Sequence, residues 1–310
     1  MNPTNQTVVV EFLLLGFKNL YAFRFLLFPL LLLVYVVSLG GNFVIITLVL
    51  FSRFLRSPMY FFLGHLSFCD TVFTTSVLPN MLRVILHGGS TLSLVGCIAQ
   101  YHVFGFSATT ESFLLTVMSY DRYLAICNPL RYTAMMTLTL QVLLVALSWF
   151  LSLVVTLSSL LLICRLQFCG SNAIDHFFCD IAPLLELSCS DTSLVKIELY
   201  VSSVPIVVFP FLFIMASYIS ISMSIVRMSS TSGRQKAFST CSSHLTVVSL
   251  YYGTLFAVYV VPTSMSSLNL NKILSLLYTV ATPMFNPIVY SLRNQEIKNA
   301  LQVQIVERKY

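Results

Sequence analysis

The sequence predicts an all-α integral membrane protein: a seven-transmembrane helix bundle followed by a short amphipathic helix. Three observations carry this. Only 9% of the 310 residues are charged, against roughly 25% in a soluble domain. The chain is 57% hydrophobic, with a mean hydropathy of +0.88. The charges also lie so as to leave windows of about 20 or more apolar residues, the length that crosses a ~30 Å hydrocarbon layer. A soluble globule, a disordered chain and a nucleic-acid binder are excluded; a net charge of +6 is too diffuse for the last.

The windows follow in chain order. Phe25–Ser52 carries no charge. Ser57–Leu82 carries only Asp70. Val84–Tyr120 carries only Glu111, with a Gly88-Gly89 turn near its start. Tyr132–Cys164, Leu199–Val226, Ala237–Asn271 and Ile273–Leu292 carry none, and Pro262 is expected to end the sixth helix. Backbone groups in lipid must be satisfied internally, so these spans are helices. The segment Asn294–Leu301 reads as a helix on the membrane surface, and Ser229–Gly233 as a flexible connection. The chain is one domain over 1–310, without internal repeats: an N-terminal segment 1–24, a bundle 25–292 and a tail 293–310.

Lys and Arg set the orientation. Eleven fall on one side (Arg53, Arg56, Arg122, Arg131, Arg227, Arg234, Lys236, Arg293, Lys298, Arg308, Lys309) and six on the other. The carboxyl terminus is therefore expected in the cytosol of a plasma-membrane protein, and the amino terminus outside. Asn5-Gln6-Thr7 is a glycosylation sequon on the outer side. No basic, apolar leader precedes the first span, which is expected to serve as its own signal. Cys97, Cys169, Cys179 and Cys189 also lie outside, where disulfides persist; taken as the paired set they leave three connectivities. His176 among them raises a metal site as a rival.

Buried charge marks function in a membrane. Asp70 lies 13 residues from Ser57, about 20 Å along the helix, and Glu111 lies 11 residues before Arg122, about 16 Å. Both distances start from the same face, so the two carboxylates reach similar depth. Two like charges there require a cation, a proton or amide partners. Asn42 and Asn286 are the candidate amides, and a sodium ion or a shared proton the candidate occupant. At the end of span three, Asp121-Arg122-Tyr123 places an acid beside a guanidinium that stays charged.

Longer strings carry a family likeness. Asn42, Asp70, Asp121-Arg122-Tyr123, Trp149 and Asn286-Pro287-Ile288-Val289-Tyr290 together resemble rhodopsin-like G-protein-coupled receptors. Pro58-Met59-Tyr60-Phe61-Phe62-Leu63, Met118 to Cys127, Lys236-Ala237-Phe238-Ser239-Thr240-Cys241-Ser242-Ser243-His244 and Pro283 to Asn294 narrow the likeness to olfactory (odorant) receptors. Ser119, Phe285 and Tyr251 depart from the commoner residues of that family.

The resemblance implies a receptor, not an enzyme, that binds small volatile odorants and raises cAMP through an olfactory-type stimulatory G protein. Membrane lipid, a receptor kinase and arrestin are implied as partners, and no cofactor beyond sodium at Asp70 and Glu111. It implies pairing of Cys97 with Cys179 and of Cys169 with Cys189, leaving Cys164 free. It implies a ligand pocket among Phe104, Ala108, Thr109, Ser202, Ile206, Tyr252, Phe256, Tyr259 and Thr279. Such a lining suits a small molecule with one polar group, and Tyr101–Thr110 holds no acid to pair an amine. The implied switch comprises Asp121, Arg122, Tyr123, Tyr218, His244, Asn286, Pro287 and Tyr290.

Overall fold

A computed structural model describes residues 9–17, 22–259, 268–293 and 295–307. The Asn5 sequon and Pro262 lie outside the described residues.

The first described element is a strand, β1 (Glu11–Leu14), followed by α1 (Arg24–Phe51), α2 (Pro58–His87), β2 (Ser90–Ser93) and α3 (Leu94–Cys127). A short α4 (Pro129–Met135) precedes α5 (Leu138–Ile163), followed by β3 (Ala173–Ile174) and α6 (Ile181–Glu186). Next, α7 (Ser193–Ser203) runs through a π turn at Val204–Val208 into α8 (Phe209–Arg227). After α9 (Thr231–Tyr259), α10 (Leu268–Leu276) runs through a second π turn at Leu277–Ala281 into α11 (Thr282–Arg293). The last element is α12 (Gln295–Glu307). Seven long rods thus form the bundle: α1, α2, α3, α5, α7–α8, α9 and α10–α11.

Local chemistry sets the helix boundaries. Pro58 opens α2 at its first position, and Gly88 closes it at φ +74°, a left-handed cap that favours glycine. Ser93 caps α3 by accepting from the Gly96 N–H at 3.1 Å. Thr137 does the same for α5 through Leu140 N–H at 3.3 Å.

Among the described residues, five rods are apolar and long enough to cross a membrane by length and composition alone: α1, α2, α5, Ser193–Arg227 and Lys272–Tyr290. The other two, α3 and α9, are as long but more polar. In α3 the polar residues face inward: Gln100, Thr110, Glu111, Ser112, Ser119 and Asp121 are all buried. This rod packs against α2, α5, α8 and α9 at the centre of the bundle. By contrast α1 turns Phe25, Leu26, Leu30 and Leu33 outward, as a lipid-facing helix does.

Several expectations need correction. The all-α reading missed a three-stranded sheet of order β2-β1-β3. Here β1 pairs antiparallel with β2 (Glu11 opposite Ser93) and parallel with β3 (Leu13 opposite Ala173). Strands of two to four residues carry too little alternation to be read from sequence. The fifth rod starts at Ser193 rather than Leu199, because Lys196 and Glu198 are tolerated on its first turns. The supposed flexible stretch Ser229–Gly233 is shorter: Thr231, Ser232 and Gly233 already belong to α9. The tail helix runs on to Glu307, with Ile297 and Ala300 buried and Tyr60 Oη donating to Glu296 at 2.8 Å.

Candidate functional site

Three polar groups lie along the bundle axis, and two of them depend on a proline. Proline lacks an N–H, so the carbonyl four residues earlier loses its helical donor. Pro287 in this way frees the Pro283 carbonyl, which accepts from Ser38 Oγ at 3.2 Å and Asn42 Nδ2 at 3.2 Å. Helices α1 and α11 are close here: a Cβ on Gly41 would lie 2.9 Å from the Pro287 ring. Asn42 is thereby committed to backbone, its second acceptor being Ser38 O at 3.0 Å. The expected amide partner of the acids is Asn286 instead. Its Nδ2 donates to Asp70 Oδ2 at 2.9 Å and to Glu111 Oε1 at 3.2 Å.

Asp70 and Glu111 are each 1% exposed, so the two carboxylates do meet at one depth. One amide offers hydrogen bonds but no charge, and two carboxylates sharing it cannot both stay ionised without a proton or a cation. Asp70 Oδ1 and Asn286 Oδ1 are buried with no hydrogen-bond partner among the described residues. Hard oxygens of this kind fit an oxygen-seeking cation.

The second proline-dependent group lies toward the sheet end. Pro210 frees the Ile206 carbonyl within the π turn, and Ser112 Oγ donates to that carbonyl at 2.5 Å. Ser112 Oγ also bonds Tyr252 Oη at 2.9 Å. One hydroxyl therefore ties α3, the π turn before α8, and α9. Of the residues read as ligand-lining, Ile206 and Tyr252 meet here. Ser112 was missed, because a lone serine in an apolar helix gives no signal until its neighbour's free carbonyl is seen.

The remaining lining residues divide. Phe104 is buried against Phe73 (5.0 Å), Phe178 (5.0 Å) and Tyr278 (5.9 Å). Ala108 offers its carbonyl to Tyr251 Oη at 2.7 Å. Thr109 and Thr279 are buried, and Thr279 Oγ1 donates to Ser275 O at 2.8 Å. Ser202 is half-buried and donates to Leu199 O at 3.2 Å. Phe256 is a correction: it is 63% exposed, on the outer face shared with Ser249 and Gly253. The stripe that faces inward is Val248, Tyr251, Tyr252 and Leu255. The Tyr259 side chain lies outside the described residues. A separate 460 Å³ groove between α2 and α3, lined by Thr71, Thr75, Ser76, Gly96, Ala99 and Gln100 among others, contains none of these positions.

The third group lies at the opposite end. Asp121, fully buried, holds Arg122 through its Nη2 and its Nε, the latter at 2.9 Å. Tyr132 Oη donates to the other carboxylate oxygen at 2.7 Å. This tyrosine belongs to α4, a short helix that sequence reading missed. Burial, reinforced by Asp121, holds its hydroxyl protonated, well above the ordinary phenol value. Tyr218 Oη and His244 Nδ1 lie 2.7 Å apart, bridging α8 and α9. Tyr290 is fully buried, its hydroxyl without a hydrogen-bond partner among the described residues. Tyr123 is half-buried against the core.

Over the other end sits a roof. Disulfides join Cys97 to Cys179 and Cys169 to Cys189, with Cα separations of 5.4 and 6.0 Å; Cys164 is a free, exposed thiol. Gln100 Oε1 accepts from Cys179 N–H at 3.0 Å. Lys272 Nζ reaches Asp175 at 2.7 Å and the Gly16 carbonyl at 3.1 Å. Burial and then Lys272 push the His176 imidazole down to about 3. The metal rival fails because the three cysteines around His176 are disulfide-bonded and offer no thiolate.

The comparisons fit this architecture. The family model described as "Olfactory receptor" matches residues 31–308. The chain belongs to the olfactory receptor family. Olfactory receptor 5G29 of Mus musculus is 48% identical over 100% of this chain and 99% of its own. Olfactory receptor 5G3 of Homo sapiens is 47% identical over 100% and 99%, and olfactory receptor 11L1 of Homo sapiens 45% over 100% and 96%. Squid rhodopsin, a crystal structure, superposes at a TM-score of 0.73 with 16% identity, covering 92% of this chain and 86% of that one. The molecule is thus a multi-pass membrane protein of the olfactory receptor family, a receptor and not an enzyme, with the fold of rhodopsin.

Proposed function

We propose that this olfactory receptor binds a small volatile molecule at the sheet end of the bundle and activates a stimulatory G protein at the Arg122 end, raising cAMP. The observation that carries the reading is the Ser112 junction. A ligand that displaces Tyr252 also disturbs Ser112 and, through the Ile206 carbonyl, the fifth rod. Local contact is thereby converted into relative motion of three helices, a shift between two packings. The 11-to-6 distribution of Lys and Arg supports a cytosolic Arg122 end and an outer roof.

In this scheme the Asp121–Arg122–Tyr132 cluster is the resting latch. Movement of α9 carries His244 away from Tyr218. Arg122 leaves Asp121 and meets Tyr218, and Tyr290 joins the rearranged cluster. Asp70, Glu111 and Asn286 would hold a sodium ion or a shared proton, which supplies the positive charge the two acids lack. Asn5 glycosylation and phosphorylation of the Ser229–Ser232 segment belong to the same proposal, as do the kinase and arrestin.

A cAMP reporter tests this in cells co-expressing a trafficking chaperone and the stimulatory G protein, across a panel of small volatiles. Arg122→Ala should abolish the response while surface staining persists. A normal response from that variant sinks the latch.

A further inference from the structure

An acid sits in the roof that the scheme above leaves without a task. Asp180 follows the disulfide-bonded Cys179 and is 6% exposed. Its carboxyl accepts one hydrogen bond among the described residues, from Ile181 N–H to Oδ1 at 2.7 Å. No cation among the described residues pairs with it: their salt bridges are Arg122–Asp121 and Lys272–Asp175. A buried carboxylate without a counter-charge is costly. Burial accordingly raises the Asp180 carboxyl to about 6.

A second, independent group points to the same space. The Tyr278 hydroxyl on the seventh rod is 2% exposed and, beyond the neighbouring Tyr251 side chain, has no polar partner among the described residues. It lies within electrostatic reach of Asp180, as does Tyr101 on α3. Between the loop and the seventh rod stand aromatic faces: Phe178 against Phe104 at 5.0 Å, and Phe104 edge-on to Tyr278 at 5.9 Å. An acid without a counter-ion among the described residues, a phenol oxygen able to accept and aromatic rings are the components that recognise an ammonium group, by ion pairing and by cation–π attraction.

We propose that Asp180, Tyr278 and the Phe104 and Phe178 rings form a subsite for the head group of a protonated primary aliphatic amine. The proposal deepens the odorant-receptor reading and rests on it. Span three holds no acid between Tyr101 and Thr110; the roof supplies one instead. The amine donates to the Asp180 carboxylate and the Tyr278 oxygen, and its alkyl chain extends toward Tyr252.

Capping is the competing role, since Asp180 also starts α6. Asn caps a helix as well as Asp, so Asp180→Asn removes the charge and keeps the cap. The full-length receptor is tested with straight-chain C5 to C10 amines, alcohols, aldehydes and carboxylates in the cAMP assay. The wild type should respond to amines before carboxylates of equal length. Asp180→Asn should raise the half-maximal amine concentration roughly tenfold or more, about 1.4 kcal/mol per decade. Surface staining and the aldehyde response should stay within about threefold. Tyr278→Phe should shift the amine response in the same direction by less. Absence of any amine response overturns the subsite, and an aldehyde or alcohol response alongside that absence leaves the receptor reading standing. An unchanged amine response in Asp180→Asn, or an equal loss of all responses or of surface display, also overturns it. Silence across all four classes counts against both readings.

Discussion

Asn286 donates both of its amide hydrogens to carboxylates, and this side chain decides whether Asp70 and Glu111 can share a site. The depth match of the two acids is legible in sequence, because a helix advances a fixed 1.5 Å per residue. Their choice of amide is not. Asn42 and Asn286 are equivalent candidates until Pro287 is seen to free the Pro283 carbonyl, which claims Asn42. Asn286→Ala removes two hydrogen bonds to buried acids and should cost about 1–3 kcal/mol. A thermal melt of the purified receptor in lipid nanodiscs checks this; an unchanged melting temperature would mean that water or an ion replaces the amide at no loss.

At the scale of elements, the rods are legible because charge-free windows and apolar content are one-dimensional properties. The π turns and short strands are not, since they arise from long-range pairing. Prolines are only half legible. Pro210 and Pro287 can be read as kinks, but their use is the carbonyl each exposes, at Ile206 and Pro283, to a hydroxyl or amide on another helix. The roof loop carries a titration prediction. His176 falls to about 3 from 6.5, so it contributes stability above pH 6.5 that is lost as pH falls toward 3. Asp180 rises to about 6 from 3.8, so it contributes stability below 3.8 that is lost as pH rises through 6. Between pH 6 and 4 the two arms oppose each other and nearly cancel. Asp180→Asn leaves the His176 arm alone, and its stability relative to wild type should fall by about 2 kcal/mol over that interval. Parallel melting curves at pH 6 and pH 4 measure the difference; a constant gap between the variants refutes the balance.

The molecule as a whole is a bundle of rods under a pinned roof, and the two disulfides contribute unequally. Cys97–Cys179 spans 82 residues and Cys169–Cys189 spans 20. Loop-closure entropy makes the first worth about 4.5 kcal/mol and the second about 3.3 kcal/mol. The first also fastens the roof to α3, the central rod, whereas the second closes a loop on itself. Cys97→Ser should therefore abolish surface delivery, and Cys169→Ser should only reduce it. Quantitative staining of an N-terminal epitope on intact cells compares them, and equal losses would refute the ranking. The bundle could be anticipated from the chain; the roof could not, because its parts lie far apart in sequence.

That separation has a consequence for biosynthesis. The central strand of the roof is made early, yet its two neighbours follow about 80 and 160 residues later, and the lysine that holds Gly16 stands 256 positions downstream. Until Ile174 has left the ribosome the earliest strand keeps a bare edge, and the Gly16 carbonyl waits longer still for Lys272. Completion of the roof is thus staged through synthesis, and a quality-control machinery that senses unpaired strand edges would hold back every copy in which β3 has not docked.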